Sequence, residues 1–131
     1  MKSPAPISSL HRNILDGLRA VATDLKEQPD SEKDNIERLA VIGRVLPMFS
    51  LEELRFLWQD VKSQDYVTVT LFVDCLVHAG SNPAIMLIKE LVESKQITET
   101  KATWALAAIG YWAKTPTREL LHELIVCSLY N

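Results

Sequence analysis

The sequence predicts an all-α fold, with about seven helices paired antiparallel and stacked as an α-solenoid and with no sheet. Three observations predict it. Apolar residues recur at i, i+3, i+4 and i+7 along nearly the whole chain, the spacing of one helix face. Capping residues and prolines punctuate those stripes at regular intervals from Ser8 to Thr115. Helix starts at Ser50, Asn82 and Thr115 stand 32 and 33 positions apart, a period typical of helical solenoids. Residues inside the period match poorly and the tetratricopeptide signature is absent. The repeat is therefore architectural rather than a recent duplication.

Residues 1–7, with two prolines and no period, read as a flexible N-terminus, and 8–131 as a single helical domain. Ser8 or Ser9 is placed to cap a first helix running to about Gln28, with Leu10, Ile14, Leu18, Val21 and Leu25 inward. Pro29 and Asp30 break it. A second helix then runs from Ser31 to about Leu46, with Ile36, Leu39, Ala40, Gly43 and Leu46 inward. Gly43 costs ~1 kcal/mol against alanine inside a helix, and a close helix crossing is the expected compensation. Ser50 with Glu53 forms a capping box, and Phe49 can staple onto Leu54. The third helix, Leu51 to about Lys62, buries Leu54, Leu57, Trp58 and Val61.

The fourth segment carries a conflict. Val67 to Leu71 alternates like a strand and is β-branched, but Val69, Phe72, Val73 and Leu76 make a helical face and no partner strand exists. A helix from about Asp65 is the expectation. His78 falls in its last turn and Gly80 just beyond, where a left-handed residue belongs. Asn82 is the expected cap of the fifth helix, with Pro83 at its first position and Ala84, Leu87, Ile88 and Leu91 inward. So short a corner makes the two helices antiparallel. A sixth helix starts at Ile97 and Thr98 and carries Ala102, Ala105, Leu106, Ile109 and Trp112 inward, to about Lys114. Thr115-Pro116 opens a seventh, burying Leu120, Leu121, Leu124, Ile125 and Cys127.

Composition excludes several function classes. The 131 residues hold 14 Lys and Arg against 17 Asp and Glu, a net charge of −3. The cations are dispersed from Lys2 to Arg118, without the basic stripe that nucleic acid or an anionic membrane requires. No apolar run approaches the ~20 residues of a transmembrane helix. The N-terminus MKSPAPISS lacks the apolar core of a signal peptide, which leaves a cytosolic protein or an internal piece of a longer one. Cys75 and Cys127 both fall in apolar faces and read as buried thiols, although spacing alone does not decide whether they pair.

No motif carries catalysis, a cofactor or a metal. His122-Glu123 opens like a zincin motif, but Val126 stands where the second histidine is needed. His11, His78 and His122 are scattered, and four glycines leave no phosphate loop. Trp58, Trp104, Trp112, Tyr66 and Tyr111 at helical spacing read as core before they read as a binding surface.

Four segments between about Ser50 and Leu129 carry a family resemblance. They are Leu51-Glu52-Glu53-Leu54 with Trp58; Leu71-Phe72-Val73-Asp74-Cys75-Leu76 followed by Ala79-Gly80-Ser81-Asn82-Pro83-Ala84; Leu87 to Ser94 with Ile97-Thr98; and Thr115-Pro116-Thr117 with Leu120-Leu121. Together they resemble the α-helical region of the large lipid transfer proteins: vitellogenins, insect apolipophorins, apolipoprotein B and the microsomal triglyceride transfer protein. The nearest flavour is vitellogenin-like, and residues 8–48 fit more loosely. Cys75 departs from the family's usual alanine, and Val77-His78 stands where a proline is often near.

The resemblance implies a slice of a right-handed, two-layer superhelix within a much longer secreted lipid carrier and yolk precursor. Its partners would be the β-sheet lipid-cavity domains of that parent protein, and lipids through the parent. No enzymatic activity, cofactor or nucleic acid is implied. Weak self-association through a modest apolar patch is expected. The competing reading is an intracellular α-solenoid that binds other proteins.

Overall fold

The computed structural model describes residues 5–28 and 32–112, and only the backbone of 5–8, 32, 33 and 110–112. Six α-helices follow one another: α1 (Ala5–Glu27), α2 (Glu32–Val45), α3 (Leu51–Val61), α4 (Tyr66–Ala79), α5 (Asn82–Glu93) and α6 (Glu99–Trp112), with a 3-10 turn at Leu46–Met48. No strand occurs among the described residues. The expected seventh helix, with Cys127 and His122, lies outside them.

The helices form two layers. α1, α3 and α5 pack in succession, and so do α2, α4 and α6, while α1 with α2, α3 with α4, and α5 with α6 join the layers. This is the stacked-pair architecture the spacing predicts, consistent with a helical superhelix. Charge pairs tie several of these joints. Arg38 donates to Asp24 at 2.9 Å between α2 and α1, and Arg55 donates to both Glu90 oxygens between α3 and α5. His11 meets Asp60 at 2.7 Å between α1 and α3. Such exposed pairs contribute ~0–1 kcal/mol each, so they set register more than stability.

Local chemistry accounts for the ends. Ser50 and Glu53 form the full capping box that starts α3. The Asp65 carboxylate caps α4 by accepting from the Thr68 amide at 3.0 Å and from its hydroxyl at 2.6 Å. Gly80 ends α4 at φ +62, as its position predicts. Thr98 caps α6, accepting from the Lys101 amide at 3.1 Å.

Burial follows the stripes in α3 and α5, where Leu54, Leu57, Trp58, Val61, Ala84, Leu87, Ile88 and Leu91 are all in the core. Trp58 and Phe72 stack with ring centroids 6.0 Å apart and planes 21° from parallel. The Trp58 indole N–H reaches the Gln96 side-chain oxygen at 2.8 Å, so its polar edge is satisfied. α4 departs from the one-faced picture. It packs against each of the other five helices, and Thr68, Leu71, Phe72, Val73, Cys75, Leu76 and Val77 are all buried. A helix that is apolar nearly all round belongs at the centre. That burial overrides the β-branched propensity of residues 67–71.

Three sequence expectations need correction. α1 begins at Ala5, before Ser8 and Ser9, because Pro6 is compatible with a first helical turn. The cap of α5 is Ser81, not Asn82: its hydroxyl accepts from the Ala84 amide at 3.3 Å. Pro83 has no N–H, and the Ala84 amide, three residues beyond Ser81, is the one a cap side chain reaches. Ile36, expected inward, is 57% exposed, whereas Asn35 beside it is 1% exposed. Asn35 accepts from the Arg38 guanidinium at 3.3 Å, so a polar side chain takes the buried position.

Candidate functional site

In the layer of α2, α4 and α6 the central helix is recessed. A groove of about 320 Å³ runs over α4 between the other two. Its floor is Asp74, Cys75, Val77 and His78, and its walls are Ile36, Leu39 and Ala40 on α2 and Trp104 on α6. The floor follows from the sequence of α4. Tyr66, Thr70, Asp74 and His78 recur every fourth residue, a continuous polar strip on a helix otherwise rich in valine, leucine and phenylalanine. That strip points out of the layer; Tyr66 and His78 are exposed, Thr70 and Asp74 half-buried.

The lips are apolar. Ile36 is 57% and Trp104 45% exposed, although both are large hydrophobic residues. Below them sits an ordered polar set. The Lys101 ammonium pairs with one Asp74 oxygen and lies 3.9 Å from the centre of the Trp104 ring. Burial pushes the Asp74 carboxyl above the usual carboxylate range, and the Lys101 pairing only partly opposes it. The Cys75 thiol reaches the Leu39 carbonyl at 3.7 Å. Burial, with the Asp74 charge adding, raises it to about 12. It stays protonated at neutral pH and is no nucleophile.

The remaining candidates separate. Trp58 is core, Tyr66 is 65% exposed, and only Trp104 among the tryptophans with described side chains reaches the groove. The Trp112 and Tyr111 side chains lie outside the described residues. His11 packs against Phe56 with ring centroids 5.3 Å apart. His78, which lines the groove, also lies close over Gly43: a methyl group added there would stand 3.0 Å from the ring Cγ. Among the described residues no group of three or more His, Cys, Asp or Glu could hold a metal ion, and no helix is long and apolar enough to cross a membrane. Sequence reading did not join Asp74 to Lys101, 27 positions apart on different helices. The one available signal was a lysine in the first turn of α6, the end of a helix where a cation is disfavoured.

Two curated proteins resemble the chain. Vitellogenin-1 of Solenopsis invicta is 30% identical over 91 residues, covering 68% of this chain and 6% of its own length. Vitellogenin of Anthonomus grandis is 19% identical over 120 residues, covering 87% of this chain and 7% of its own length. The chain thus spans a small fraction of the length of these relatives. No solved structure matches it. The family model described as Vitellogenin TPR domain matches residues 12–127, nearly the whole layered array, and the chain therefore belongs to the vitellogenin family.

Proposed function

We propose that this chain is a stretch of helical wall in a long, secreted, lipid-carrying protein, and that it scaffolds the lipid-lined sheets of that parent without catalysing a reaction. The observation that carries the reading is the family match over residues 12–127 in a chain that spans only 6% and 7% of its relatives. The packing supports a scaffold role. The apolar stripes of α1, α3 and α5 are consumed by helix-on-helix contact, with Leu18, Leu54, Leu57, Leu87 and Ile88 fully covered. The groove over α4, about 320 Å³, is at the low end for a small-molecule pocket and no reservoir for bulk lipid.

The test uses antibody raised against the chain on density-fractionated extracellular fluid of the source animal. The reading expects antigen that floats with lipid, at a mass far above 14.8 kDa. Lipid-free antigen of 14.8 kDa inside cells would overturn it in favour of an intracellular adaptor. Lipid extraction of the purified chain should recover no stoichiometric triglyceride; a loaded monomer would contradict the scaffold role.

A further inference from the structure

We infer that the internal ion pair of Asp74 and Lys101 is a rotational key: it selects which of two apolar stripes α6 turns towards α4 and α5, and so holds Trp104 on the lip of the groove. The sequence of α6 carries both stripes. Ala102, Ala105, Leu106 and Ile109 stand at i, i+3, i+4 and i+7, and Trp104, Ala108, Tyr111 and Trp112 at i, i+4, i+7 and i+8. The second stripe has three aromatic residues, each able to bury ~150–250 Å². Apolar area alone therefore favours turning the second stripe inward. The structure does the reverse. Ala105, Leu106 and Ile109 are buried, while Trp104 is left 45% exposed. Some interaction other than apolar burial sets the rotation.

Lys101 lies on the seam between the stripes. It precedes Trp104 by three residues and Ala105 by four, so it borders both. Its side chain is only 13% exposed, yet its ammonium is paired with an Asp74 oxygen and lies 3.9 Å from the centre of the Trp104 ring. Asp74 is half-buried on the outward strip of α4, at the margin of the contact with α6. Rolling the Trp104 stripe inward would carry Lys101 off that margin into the apolar contact and leave a buried charge unpaired. The pair itself is a poor source of stability. Both partners are largely withdrawn from water, and Lys101 sits in the first turn of α6, where the helix field opposes a cation. A buried pair that contributes little stability but excludes a competing arrangement acts as a register device.

The experiment replaces the pair by apolar side chains of similar size, Asp74→Leu with Lys101→Met, in the 131-residue chain. The readout is the indole N–H resonance of Trp104, assigned by Trp104→Phe. The native chain should show one sharp resonance. The apolar double variant should keep its helix content by circular dichroism and a urea midpoint no lower than native. It should nevertheless show exchange broadening of the Trp104 resonance, or a second resonance with at least about a tenth of the intensity. Exchanging the charges, Asp74→Lys with Lys101→Asp, should return a single sharp resonance. One sharp Trp104 resonance in the apolar double variant overturns the proposal, because packing then fixes the rotation unaided. A lowered urea midpoint in that variant overturns it too, because the pair is then a stabilising strut and not a key. Heterogeneity that persists in the charge-exchanged variant also overturns it, because the rotation then does not follow the pairing.

Discussion

Replacing Gly43 with alanine tests the crossing of α2 over α4. In an open helix interior this change stabilises by ~1 kcal/mol, because glycine spends more backbone entropy on folding. Here the added Cβ would meet the His78 side chain, 3.0 Å from its Cγ and 3.1 Å from its Cβ, with the ring edge closer still. The ring can rotate, since His78 is an exposed residue. Its Cβ cannot, being fixed to the α4 backbone, so the two helices must separate by a few tenths of an ångström. Overpacking of this kind costs ~1–3 kcal/mol. Taking ~2 from that range against the ~1 gained from propensity leaves a net loss of ~1 kcal/mol. Urea melts of Gly43→Ala, His78→Ala and the double variant provide the cycle. Alanine at 78 removes the ring and keeps the Cβ, so most of the loss should persist in that background, with a coupling below ~0.5 kcal/mol. A gain of ~1 kcal/mol from Gly43→Ala in the native background would refute the reasoning, because the crossing would then have room to spare.

Phe72→Ala removes a side chain with no exposure that stacks on Trp58, and it should cost ~3–5 kcal/mol in urea melts; a loss below ~1 would mean the stacked pair is not core. Gly80→Val forces a β-branched residue into φ +62 and should cost more than Ser81→Ala, which removes the α5 cap for ~1 kcal/mol. Comparable losses would show that α4 can end elsewhere. Asp65, held down to about 2 by the Lys26 ammonium and then by Thr68, gives an acid dependence of defined sign. Its folded value is depressed, so its contribution is present above the unfolded value near 3.8 and fades as pH falls towards 2. Asp65→Asn should flatten that part of the stability–pH curve, and an unchanged curve would remove Asp65 from the account.

Helix ends were legible where the cap is chemistry local to three or four residues, and misplaced at the starts of α1 and α5. Ser50 with Glu53, and Gly80 after His78, announce their roles without tertiary context. The core stripes of α3 and α5 were legible for a related reason: each helix buries one side, so period and burial coincide. Rotation of α2 was legible only in part: Gly43 and Leu46 are buried and Gly43 makes the expected close crossing, but Ile36 is not inward. Its orientation is set by Ile42, whose Cδ1 would stand 3.3 Å from a side chain added at Gly17, and by Gly43 against His78, contacts between residues far apart in sequence. Those contacts seat Asn35 inside and leave Ile36 on the groove, which apolar counting reverses. The groove itself was invisible for the same reason, since Asp74, Lys101 and Trp104 meet only when α6 is laid beside α4. Family resemblance was readable from packing motifs, which explains why it identified ancestry and not a site.

The central place of α4 bears on how the array comes apart. In an ideal stack of repeats each unit touches only its neighbours, and the ends fray independently of the middle. Among the described helices one is shared by all five others, so no boundary between them can open without exposing part of its surface. Loss of α1 or of α6 uncovers buried surface of the same helix, and the free energy of opening should be similar from either end. Amide hydrogen exchange on α2, α4 and α5 would then report one common opening event, close to global unfolding, in place of a gradient along the chain.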